Sequence, residues 1–217
     1  MAKITQPSYI KGMTSFVPMG SNWNQSATVV SDRMPSGNNM TANGSPTINA
    51  TDTVFTSGTS DYLEFDSAVA YTGTKTIAID FYADDVSNTE IFLYFYAGAA
   101  DYFNLGISTS MLLASAANSG AASLISSTLQ SATWYTAVIT KTAGDITEIY
   151  INGIADGSVT SSKWVANSVK YIAGASWYNG AYIVGFNGKC RNLAVWNRAL
   201  SATEAALWSD RHYLSKI

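Results

Sequence analysis

The sequence predicts an all-β protein: an antiparallel β-sandwich of the jelly-roll kind, with an extended N-terminal arm and one short C-terminal helix. Three observations predict it. From Thr53 onward, short runs alternate apolar and polar residues at the period of half-buried strands. Turn pairs such as Asn152-Gly153 and Asn187-Gly188 separate those runs, as type I′ turns need two residues that tolerate positive φ. Finally, Ser201-Ala-Thr-Glu204 has capping-box spacing and opens a segment in which Leu207, Trp208 and Leu214 recur at roughly helical intervals.

In order, residues 1–50 read as an arm or extension and 51–217 as the sandwich domain. The first segment holds all four prolines (Pro7, Pro18, Pro35, Pro46) and Gly12, Gly20, Gly37 and Gly44. Proline lacks a ladder donor and glycine disfavours regular elements, so a central strand is not expected before about residue 53. The arm is read as extended chain, or as a strand wrapped on the sandwich edge. Trp23, Phe16 and Met19 are its candidate anchors to a neighbouring subunit.

The strand signals begin with Tyr62 to Asp66, where Leu63 and Phe65 alternate with Tyr62, Glu64 and Asp66. Thr74 to Ala83 follows with Ile77, Ile79 and Phe81 on one face, and Ile91 to Tyr96 reads as buried on both sides. Tyr102 to Ser108 alternates. Trp134 to Lys141 places Tyr135, Ala137 and Ile139 together, and Ile146 to Ile151 does the same with Thr147, Ile149 and Ile151. The last strand, Lys189 to Trp196, is read with Cys190, Asn192, Ala194 and Trp196 on one side and Arg191, Leu193 and Val195 on the other. Trp134, Trp196 and Trp208 fall at patterned positions and are expected in the core. In all, roughly a dozen strands are expected.

The stretch Phe186-Asn-Gly-Lys-Cys-Arg-Asn-Leu-Ala-Val-Trp-Asn-Arg-Ala-Leu-Ser-Ala-Thr-Glu204 resembles the closing strand and helix of concanavalin A-like, laminin-G-like jelly-roll domains. Gly58-Thr-Ser-Asp-Tyr-Leu-Glu-Phe65 is similar to the early Gly/Asp-Tyr strand of that superfamily of lectins and glucanases. Trp134 to Gly153 is similar to its central Trp-led hairpin. The resemblance covers about residues 50–214. It implies the sandwich fold, and carbohydrate recognition as one function among several, since fold alone does not establish function.

Composition narrows the remaining classes. The 217 residues carry a net charge of −3 and only 12% charged side chains, so nothing electrostatic points to nucleic acid or an anionic membrane. No apolar run approaches the length of a membrane span, and the N-terminus lacks the apolar segment of a signal peptide. With one cysteine, Cys190, the chain forms no internal disulfide.

Catalytic chemistry is not expected. The glucanases of this superfamily use Glu-x-Asp-x-x-Glu, whereas Glu64-Phe-Asp66 is followed by Val69 where the second glutamate would stand. The single His, His212, offers no triad, and zinc sites need several His or Cys ligands. No metal site is assigned. The resemblance leaves a structural calcium open, with Asp61, Asp84, Asp85 and Asp101 as loop-placed oxygen donors.

The candidate contact surface is Ser176-Trp-Tyr-Asn-Gly-Ala-Tyr182. Large aromatics beside a turn pack or bind. Trp177, Tyr178, Asn179 and Tyr182 could form a stacking platform for a sugar ring, anchor a protein interface, or fold back as core. Trp164, in the loop after the Asn-Gly hairpin, is a weaker member of the same group. Two function classes follow. One is a non-catalytic structural or decoration protein of a viral or phage particle, a homo-oligomer held by its arm and located in the virion. The other is a carbohydrate-binding, lectin-like module for surface attachment.

Overall fold

The computed structural model describes residues 8–20, 28–35, 37–56, 61–68, 73–98, 101–117, 122–160, 170–178, 181–183 and 185–210. A 3-10 turn, Ser8–Ile10, precedes the described strands. The N-terminal strands are β1 Met13–Val17, β2 Val29–Val30, β3 Met40–Asn43, β4 Thr47–Ile48, β5 Thr53–Phe55 and β6 Tyr62–Phe65. The central ones are β7 Lys75–Ala83, β8 Glu90–Gly98, β9 Asp101–Ser108, β10 Met111–Ala117, β11 Ala122–Thr128 and β12 Thr133–Lys141. Then come β13 Ile146–Ile151, β14 Ile154–Thr160, β15 Lys170–Ala173, β16 Ser176–Tyr178, β17 Ala181–Ile183 and β18 Gly188–Trp196. Helix α1, Ala202–Ser209, closes the described chain.

Two eight-stranded antiparallel sheets face each other. The first runs β14-β13-β12-β7-β18-β5-β4, with β1 joining β18; the second runs β11-β10-β9-β8-β15-β6-β3-β2. Between them lies the main core. Ile77, Ile79 and Phe81 of β7 meet Phe92 and Leu105 from the second sheet, all of them buried. Phe81 stacks on Phe92 with ring centroids 4.4 Å apart. Burying each such side chain contributes about 1.5–3 kcal/mol. The Asn152-Gly153 turn is as expected, with φ of 50° and 80°.

Strand β18 does not alternate as the sequence suggests. Its register on β7 shifts between Arg191 and Ala194, and Asn192 there adopts φ 55°. Asparagine is one of the few side-chain-bearing residues that tolerate this left-handed region, so the extra residue is absorbed as a bulge. The bulge reverses the parity of the strand. Cys190, Leu193 and Val195 enter the main core, while Ala194 and Trp196 belong to a second cluster on the outer face of the first sheet. The expected grouping of Cys190 with Ala194 and Trp196 is therefore corrected.

Helix α1 covers that second cluster. Ser201 and Glu204 form the capping box, and Leu200 and Ala205 are both buried beside the first turn. Trp208 meets Trp196 edge-on at 4.9 Å and Phe16 at 6.0 Å. Arg198 grips both Glu204 carboxylate oxygens at 2.8 Å and donates to the carbonyls of Lys11 and Ser8 at 2.7 and 2.8 Å. One guanidinium thus ties the N-terminal turn to the C-terminal helix.

The N-terminal segment is part of the sandwich itself. β1 pairs with β18, and β4 and β2 end their sheets, as the edge-strand alternative expected, while β3 lies between β2 and β6, so the expectation of no central strand before residue 53 is corrected there. Partner strands supply the pairing, while Pro18, Gly20, Gly44 and Pro46 fall outside the strands rather than interrupting them. Met19 is fully buried in the main core and so is not free to anchor a neighbour, and the half-buried Phe16 packs on Trp208. Trp23 lies outside the described residues.

The Arg198 side chain holds the Glu204 carboxyl down to about 2, from an ordinary 4.5. A depressed carboxylate adds stability that is complete above its unfolded value and is lost as pH falls toward its folded one. The melting temperature of the wild-type chain should therefore drop more steeply between pH 4.5 and pH 2 than that of Glu204→Gln. Parallel acid profiles would show that this ion pair contributes nothing to the clasp.

Candidate functional site

The outer face of the first sheet has two halves. One lies under α1. On the other, register places Trp134, Tyr82 and Lys189 side by side on β12, β7 and β18, with Thr136, Asp80 and Arg191 as the next row. All three members of the first row are half-buried. Alternation explains this: Trp134 and Thr136 share parity with Val138, and Tyr82 and Asp80 with Ala78, both of which lie under the helix.

The two rows are cross-braced. The Arg191 guanidinium carbon sits 4.0 Å from the Trp134 ring centroid, and Lys189 Nζ lies 4.9 Å from that of Tyr82. The two rings are 5.6 Å apart and tilted by 53°. Beneath them Asp80 is buried, only 3% exposed. It accepts from Thr136 Oγ1 and Asn192 Nδ2, each at 2.8 Å, and from Arg191 Nε at 3.3 Å. Thr136 N–H in turn donates to Asn152 Oδ1 at 2.9 Å. The result is a strip of aromatic surface flanked by cationic tips and held by one buried carboxylate. It can stack on a ring and donate hydrogen bonds to oxygen acceptors. Trp134, expected in the core, is thus half-buried on the outer face, whereas Trp196 and Trp208 are buried as expected.

The aromatic hairpin of the sequence exists as a backbone ribbon. β16 and β17 form a two-stranded sheet of their own, with Trp177 opposite Tyr182 and Tyr178 opposite Ala181. Its base is fixed: Phe186 N–H donates to Gly174 O at 2.9 Å, and Gly174 N–H to Phe92 O at 3.0 Å. Gly174 has φ +94°, and a Cβ there would stand 2.2 Å from the Phe55 ring. Asn179, Trp164 and the side chains of Trp177, Tyr178 and Tyr182 lie outside the described residues. β18 begins five positions after β17 ends, with Gly188 opposite Ala83, so ribbon and aromatic strip rise at the same end of the sandwich.

The other candidates hold structural places. Asp61 is buried and accepts from Ser45 N–H at 2.8 Å. Asp85 accepts from Ser87 N–H and Oγ, both at 2.8 Å, and Asp84 is exposed. The Asp101 side chain lies outside the described residues. Among the described residues, no three His, Cys, Asp or Glu side chains converge as metal ligands. Burial pushes the Cys190 thiol well up, and the charges of Asp80 and Asp52 add to this. Burial also raises the Glu90 carboxyl, opposed by the Asn187 N–H that donates to it at 3.2 Å.

Removing the brace should be costly. Asp80→Ala leaves Arg191 and Asn192 without their shared acceptor and should lower stability by about 3 kcal/mol. Chemical denaturation checks this; a loss under about 1 kcal/mol would mean the bulge holds its conformation without Asp80.

Comparison with known proteins completes the picture. No curated protein matches the chain. Among solved structures, the binding domain of botulinum neurotoxin serotype D/C is similar at 15% identity and TM-score 0.73, over 94% of this chain and 53% of that one. The binding domain of botulinum neurotoxin DC is similar in complex with SialylT (12%, TM-score 0.72) and with rat synaptotagmin II (11%, TM-score 0.74). Each of those covers 94% of this chain and 52% of the other, so the chain spans about half their length, and the likeness shows the fold. A laminin-G-type family model matches residues 57–206. With that match over most of its length and a jelly roll of two antiparallel sheets, the chain belongs to the concanavalin A-like lectin/glucanases superfamily.

Proposed function

We propose that this domain is a non-catalytic, lectin-like recognition module that binds carbohydrate on the open half of the outer sheet face. The observation that carries the reading is the Trp134–Tyr82 strip with Arg191 and Lys189 laid over its rings. A pyranose presents an apolar C–H face and a rim of hydroxyls. Half-buried rings beside fixed donors match both features, and a few convergent polar groups on an aromatic wall are what ligand sites use. The similar binding domain seen with SialylT supports a saccharide as ligand class. The ribbon whose backbone pairs Trp177 with Tyr182 stands at the same end of the sandwich.

The particle-decoration reading rested on an arm awaiting a neighbour. The described arm residues instead pair and pack within their own sandwich, so the aromatic surface is the stronger ground.

A glycan array followed by titration of the best binders tests this. Wild-type chain should bind selected saccharides, and Trp134→Ala should weaken them at least tenfold while costing about 1 kcal/mol of stability. Trp177→Ala separates the ribbon from the sheet as the principal contact. If the wild-type chain binds no saccharide, or Trp134→Ala and Trp177→Ala both bind as it does, the reading fails.

A further inference from the structure

The far end of the first sheet carries an arrangement that a recognition face on its outer surface does not use. On the inner face, Lys75 of β7, Lys141 of β12, Thr147 of β13 and Val159 of β14 are successive register partners. Their parity is that of Ile77, Ile139 and Ile149, all three in the main core. Lys75 and Lys141 are nevertheless lysines, 8% and 6% exposed, and Thr147 is fully buried. Seven residues separate Lys75 from Tyr82, about 23 Å along the strand, so this row is remote from the aromatic strip.

The chemistry of the row is unbalanced. Directly opposed residues on antiparallel strands have Cβ atoms about 4.5–5.5 Å apart, and like charges so placed are unfavourable. Lys141 Nζ meets Asp145 Oδ1 at 3.1 Å, and that carboxylate is itself 42% exposed. Lys75 has no hydrogen bond or ion pair with any described residue, and the buried Thr147 hydroxyl likewise has no partner. Burial lowers the Lys75 amine from its ordinary 10.5. The Lys75 amine, which reaches solvent at the rim of the row, and the buried Thr147 hydroxyl are both without a partner, and a buried unpaired hydroxyl is a costly feature that native folds seldom keep without use. Both could bond the same small group: the hydroxyl donates or accepts, the ammonium donates, and the excess cation calls for a negative charge.

We propose that Lys75, Lys141 and Thr147 form an oxyanion site on the inner face of the first sheet, taking a carboxylate, sulfate or phosphate group. Lys75 supplies the uncompensated charge, Thr147 the hydroxyl, and Lys141, steadied by Asp145, the second cation. The site does not depend on the outer-face carbohydrate reading. It requires only that an anion reach the end of the row.

Thermal denaturation of the full chain in sulfate, phosphate or glucuronate, against chloride at equal ionic strength, tests it. Sulfate and phosphate stabilise most folds by exclusion from the surface, so Lys75→Met is the control. Saturating oxyanion should raise the wild-type melting temperature about 5 °C or more beyond the rise seen in Lys75→Met. In chloride, Lys75→Met should melt higher than wild type, because it removes the like charge directly opposite Lys141. A specific rise with glucuronate identifies a saccharide-borne carboxylate as a ligand; a rise with the inorganic ions alone identifies a free oxyanion. Equal rises in wild type and variant overturn the site. Should Lys75→Met fail to fold, titrating sulfate into wild type while following the Lys75 side-chain Cε–H resonances decides the matter. A saturable shift supports the site, and resonances that do not move overturn it.

Discussion

The structure depends on one buried carboxylate and the irregularity it holds. Asp80 accepts from Asn192 and Arg191 where β18 takes one residue more than β7, and that extra residue inverts the strand's parity. Before the bulge, Cys190 faces the main core; after it, Leu193 and Val195 do. On the opposite side, Lys189 and Arg191 give way to Ala194 and Trp196, the seat of the helix. A regular strand could not place Cys190 and Val195 inward together. The bulge therefore lets one strand serve the sandwich core, the helical clasp and the exposed strip at once.

The clasp sets where the open surface lies. Helix α1 and β1 occupy the half of the outer face around Trp196, and Arg198 joins the two ends of the chain over it through Glu204 and the Ser8 and Lys11 carbonyls. Among the described residues, no helix or strand is packed over the end bearing Trp134 and Tyr82, the end at which the β16–β17 ribbon also stands. The rings there are not loosely exposed. Each lies under a cation, and the guanidinium is anchored from below by a carboxylate. Side chains braced in this way lose little entropy when a ligand settles on them, which favours binding by a preorganised surface.

Local chemistry was legible in the sequence. Ser201 and Glu204 announced the cap, Asn152-Gly153 the tight turn, and the alternation of Tyr135, Ala137 and Ile139 the inward face of β12. The order of motifs pointed to the correct superfamily. What could not be read depended on partners distant in sequence. β1 exists because β18 offers it an edge, so the prolines and glycines around it mark corners rather than an unpaired arm. The parity change in β18 hinges on Asn192 meeting Asp80, which is 112 positions away. The place of Trp134 followed from where the helix stops covering the sheet, not from the periodicity of its own strand. The one local signal was an asparagine inside an apolar strand, a residue suited to positive φ.

The most direct test of this account is the solvent exposure of the tryptophan indoles, measured by NMR with a soluble paramagnetic agent. The bulge and clasp predict strong relaxation of the Trp134 indole and protection of Trp196 and Trp208, which are 0% and 1% exposed. If Trp134 were as protected as Trp196, or Trp196 relaxed as Trp134 does, the parity change at Asn192 and the surface built on it would be contradicted.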